Sequence, residues 1–73
     1  MNIISIEQIE STEAFKKIDK SIQPLYLKRV NREKISHALV VYRNTNYLDE
    51  SLGRHSLNIA KELIKIEEDE KRS

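Results

Sequence analysis

Apolar positions recur along the C-terminal third of the chain at helical spacing. Leu48, Leu52, Ile59, Leu63 and Ile66, with His55 in register, advance by steps of three or four residues. At about 100° per residue those steps hold all six side chains on one face, and the pattern predicts a helix over residues 47–70. Leu57, Ala60 and Ile64 form a second apolar set on nearly the opposite side. A single neighbour does not cover both faces. The second is therefore expected to meet a helix near the N-terminus, through Phe15 and Ile18, or another subunit. So short a chain buries only about 60% of its unfolded surface, which favours an oligomer.

Upstream the pattern is more broken. Ser5 and Gln8 have the spacing of a capping box, so a helix is expected from Ile6. Ile6 and Ile9 share a face, whereas Phe15, Ile18 and Ile22 fall out of phase with them. The slip lies at Ser11 and Thr12, either of which can cap a second helix over residues 13–21, with Glu13 in its first turn. Pro24 sets a boundary at Gln23. Leu27, Asn31, Ile35, Ala38, Leu39 and Tyr42 then give a helical stripe over residues 24–43, interrupted at Asn31. Asn31 is either tucked at the edge of one helix or the N-cap of a shorter one from Arg32. Residues 39–42 have strand propensity but no second β-run to pair with. The polar turn 43–46 ends in Asn46, a candidate cap for the long helix, and its shortness predicts antiparallel neighbours. The expected fold is all-α: one domain over residues 1–73, with an N-terminal helical segment (1–22), a helical hairpin (24–43 and 47–70) and a frayed tail (71–73).

Composition agrees with a helical domain. The chain has 73 residues, 34% charged, with a single Gly, a single Pro and no Cys, so no disulfide or thiolate metal site supplements the core. The longest apolar run, residues 38–42, is too short to span a bilayer, and the absence of a basic leader leads to a cytoplasmic expectation. Charge is segregated. Residues 1–13 carry three Glu and no basic residue, residues 14–48 eight basic against two acidic residues, and residues 49–73 five basic against seven acidic residues. Acid laid against base within the fold accounts for this pattern; an anion-binding middle region is the alternative.

No catalytic set stands out. Ser36 and His37 are adjacent and point about 100° apart on a helix, which denies them a nucleophile–base pairing. His55 has no second His or Cys at ligand spacing, and neither a phosphate-binding Gly-rich loop nor a calcium-loop pattern occurs. No cofactor or metal is expected. Arg32 and His37 have the R-x4-H form of the HEPN ribonucleases, a six-residue likeness in a chain shorter than that family's bundle.

Two further resemblances concern Gly53. Ile35, Ala38, Leu39, Asn44, Leu52, Gly53, Ile59 and Leu63 resemble the C-terminal helix-turn-helix of Fis-type DNA-binding proteins. The likeness implies a break at Gly53 and a recognition helix bearing Arg54, His55, Asn58 and Lys61. It departs from the family at Asp49 and Glu50, where small residues are the rule. If the helix is continuous, Arg54, Asn58, Lys61 and Lys65 share a flank with Tyr47, and Lys28, Arg32 and Arg43 line the partner helix. Such a flank suits an anion or nucleotide. The layout is similar to that of phage-encoded sponges for nucleotide second messengers.

The function expected from the sequence is a non-enzymatic regulator or adaptor acting through helix faces, with Leu57, Ala60, Ile64, Phe15 and Ile18 meeting a protein partner or a second copy. A DNA-binding regulator and a nucleotide sponge are the alternatives.

Overall fold

The computed structural model describes residues 3–72, which are all-α. Helix α1 (Ile6–Glu10) begins at a complete capping box: the Gln8 N–H donates to Ser5 Oγ at 3.1 Å, and the Ser5 N–H donates to Gln8 Oε1 at 2.9 Å. Helix α2 (Glu13–Lys16) starts at Thr12. Its buried hydroxyl donates to the Ile9 carbonyl at 2.7 Å and accepts from the Phe15 N–H at 3.2 Å, so one side chain both ends α1 and starts α2.

Helix α2 stops well before residue 21. Asp19 accepts from the Ser21 N–H at 3.0 Å, and the N–H groups of Ile22 and Gln23 donate to the Asp19 carbonyl at 2.8 and 3.0 Å. This local turn competes successfully with continued helix. The Gln23 amide covers the loosened end by donating to the carbonyls of Ile18 and Phe15 at 2.8 and 3.4 Å.

Residues 24–43 are not one helix. Helix α3 (Gln23–Arg29) ends where Val30 and Asn31 turn extended, and Asn31 caps helix α4 (Arg32–Thr45) by accepting from the Lys34 N–H at 3.1 Å. Helix α4 overruns the expected turn. Asn46, expected to start the long helix, instead ends α4 in the left-handed region (φ 59°), its N–H donating to the Tyr42 carbonyl at 2.8 Å.

The expected helix over residues 47–70 is also corrected. Asp49 caps a single 3₁₀ turn (Glu50–Leu52), and Gly53 then adopts φ 89° and ψ 162°, a combination essentially reserved for glycine. Helix α5 (Arg54–Arg72) starts only after it and continues through Lys71 and Arg72, two of the three residues expected to fray; Ser73 lies outside the described residues. Cations in that last turn complement the helix dipole.

Helices α4 and α5 are not antiparallel. Near the start of both, Lys34 Nζ donates to the Ser51 carbonyl at 3.3 Å. Toward the end of both, the Arg43 guanidinium grips the Glu67 carboxylate through Nη2 at 2.9 Å and Nε at 3.1 Å. The two helices therefore run in the same general direction. Parallel neighbours need a connection as long as the helix itself, and residues 46–53 provide it by passing back along the domain.

Removing Leu48 and Leu52 from the helix frees α5 to turn about its axis. Its buried face is Ser56, Ile59, Ala60 and Ile64; His55 is exposed and Ile66 is 43% exposed. Ile4, Ile9, Phe15, Ile18, Ile35, Leu39, Ile59, Ala60 and Ile64 make one continuous core. Most of the face assigned to a partner is thus buried within the chain: Phe15, Ile18, Ala60 and Ile64 are buried, while Leu57 is half-buried.

Candidate functional site

Helix α2 crosses back over α5, so that its first residues meet Glu62 while its end lies toward Arg54. Between them runs a groove of about 620 Å³. Along its α5 bank Arg54, Asn58, Lys61 and Lys65 are all exposed, and they recur at steps of four, three and four residues. At about 1.5 Å of rise per residue this row is roughly 16 Å long. Lys17, the residue that ends α2, stands on the other bank.

Four exposed cations thus share the groove with two carboxylates, and both acids have partners. Glu62 Oε1 accepts from the Glu13 N–H at 2.9 Å and its Oε2 from the Ala14 N–H at 3.3 Å. Glu13 pairs with Lys16 at 3.7 Å. Four cations against two carboxylates leave the groove net positive.

His55 opens onto the groove and sets its ring edge-on to Tyr26, with centroids 5.9 Å apart and planes at 79°. Tyr26 in turn shares a 2.8 Å hydrogen bond with the buried Ser56 hydroxyl and tilts against Phe15 at 6.3 Å. Burial raises the Tyr26 phenol above its ordinary range, and the bond with Ser56 opposes part of that rise. The mouth of the groove is therefore anchored to the core through an aromatic chain.

The other residues expected to bind anions lie elsewhere. Lys28 is in the last turn of α3, Arg32 opens α4, and Tyr47, 60% exposed, lies on the connection; none of the three lines the groove. Arg43 is occupied by Glu67. Arg32 and His37 are five residues apart on α4, about 140° around the axis, and do not converge. Among the described residues no cluster of three or more His, Cys, Asp or Glu is placed to hold a metal ion.

Lys17 and Glu62 were missed. The expected packing of the N-terminal helix on α5 contained a signal for Lys17. Nothing in the local pattern marks Glu62, an acid within a basic flank. The helix-turn-helix is not built either: its middle helix is reduced to Glu50–Leu52, and the flanking α4 and α5 run in the same general direction.

No family model, no curated protein and no solved structure matches the chain.

Proposed function

We propose that this protein binds nucleic acid through its phosphate backbone, with the exposed row Arg54, Asn58, Lys61 and Lys65 on α5 and Lys17 on α2 as the contact surface. The observation that carries this reading is the row itself: three cations and an amide on one exposed helix flank, facing a fourth cation across the groove, with the nearby acids engaged. Its length of roughly 16 Å matches the axial rise of about five nucleotides in one strand of B-form DNA. Lys and Arg displace the counterions condensed on such a backbone, which supplies affinity without base reading.

Two features favour a polymer over a small nucleotide. The site is an exposed groove along a helix, whereas sites for small ligands bury most of the ligand surface. Tyr47, the stacking surface expected for a nucleotide, does not line it. A helix-face adaptor has less support, because Phe15, Ile18, Ala60 and Ile64, four of the five residues on which it rests, lie in the core.

Fluorescence anisotropy with labelled duplex DNA of random sequence, measured across a NaCl series, tests the proposal. Four backbone contacts predict that log K falls against log salt with a slope of about −3 to −4. A flat response, or no binding at low salt, rejects it.

A further inference from the structure

We propose that Glu62, an acid, is a positioning residue of this basic groove: by holding the start of α2 it sets Lys17 on the opposite bank. The inference rests on the nucleic-acid reading above.

Helix α2 has only four residues, far below the length at which a helix persists on its own. Its first N–H groups have no partner within the helix. Thr12 accepts from one of them, at Phe15, and Glu62 accepts from the other two, at Glu13 and Ala14. Every early donor of α2 is thereby satisfied, two of them by one side chain of α5. Lys17 follows directly at the end of this turn. Its place on the bank facing α5 is held from the core side by the buried Phe15 and Ile18 and from the start of the helix by Glu62. The two bonds turn the carboxylate oxygens toward the α2 backbone.

The consequence is opposite to simple charge counting. An acid that merely sat in the site would, once neutralised, leave the groove more positive and strengthen anion binding. A positioning acid, once removed, releases α2, withdraws Lys17 and weakens binding.

The test compares wild type, Glu62→Ala, Glu62→Gln, Lys17→Ala and the Lys17→Ala/Glu62→Ala double variant. Each is titrated with the same labelled duplex across the salt series, at a temperature where circular dichroism shows it helical. Glu62→Ala is expected to weaken binding several-fold and to flatten the salt slope by about 0.9, the value of one phosphate contact. Lys17→Ala should do the same, and the double variant should be no weaker than either single one. Glu62→Gln keeps one acceptor oxygen and should fall between wild type and Glu62→Ala. Simple loss of folded protein lowers the active fraction without changing the slope, so it does not imitate this result. Binding as tight as wild type or tighter in both Glu62 variants, or effects of Lys17 and Glu62 that add, overturns the positioning role while leaving the groove intact. Absence of binding by wild type overturns the groove reading, and this role with it.

Discussion

The backbone N–H of Ile4 donates to the hydroxyl of Ser36 across 2.8 Å in a buried site. This bond joins the segment before α1 to the middle of α4, and Ile4 packs in the core beside it. Ser36→Ala leaves a buried donor without a partner, at a cost of about 1–3 kcal/mol. Urea unfolding should show a lower midpoint with an unchanged slope.

Gly53 separates two opposite expectations by sign. In a continuous helix, Gly53→Ala would stabilise by about 1 kcal/mol. At φ 89° and ψ 162° the same substitution should destabilise by about 1–3 kcal/mol. A Cβ at this position would meet no atom within 4 Å, so the cost is conformational and not a clash. Thermal unfolding of the variant gives the sign directly.

Tyr26 makes stability fall at high pH. Its pKa is raised in the folded state, so its contribution is complete below the unfolded phenol value and is lost as pH rises from about 10 through the folded value. Tyr26→Phe should remove this alkaline loss. Because it also leaves the Ser56 hydroxyl without its partner, it should cost roughly 1 kcal/mol at neutral pH. Denaturant titrations at neutral and alkaline pH measure both effects.

The cations of the chain should divide by position. Arg54→Gln, Lys61→Gln and Lys65→Gln should each weaken DNA binding and reduce the salt slope by about 0.9. Arg43→Gln should leave the slope unchanged, since Arg43 serves Glu67 outside the groove, and should cost at most about 1 kcal/mol of stability at this partly exposed pair. Equal effects at all four positions would point to unspecific charge attraction and against a site.

Ile59 is fully enclosed at the centre of the core. Ile59→Ala should cost about 2–5 kcal/mol, a large share of the stability of so small a domain. A sharply reduced melting temperature in circular dichroism is the expected result.

Local sequence determined the features that local chemistry decides. The Ser5–Gln8 box, the Thr12 cap and the boundary near Pro24 need only a side chain within reach of its own backbone, and each is legible in a few residues. The helical period and the absence of a second β-run determined the all-α class. The flank Arg54, Asn58, Lys61 and Lys65 was legible because helix geometry alone brings residues four and three apart together.

Tertiary structure decided the rest. Asn46 is able to cap either helix beside it, and its left-handed conformation at the end of α4 is chosen by where the chain must go next. Gly53 reads as an interruption tolerated within the helix expected over residues 47–70, with a break as the alternative. Once it breaks, Leu48 and Leu52 leave the stripe, α5 turns, and the face that looked available for a partner becomes the one that Phe15 and Ile18 bury. The relative direction of α4 and α5, and the approach of Lys17 and Glu62 to one groove, join residues far apart in sequence. Periodicity within either segment carries no information about such pairings, because they are set by the packing of the whole core.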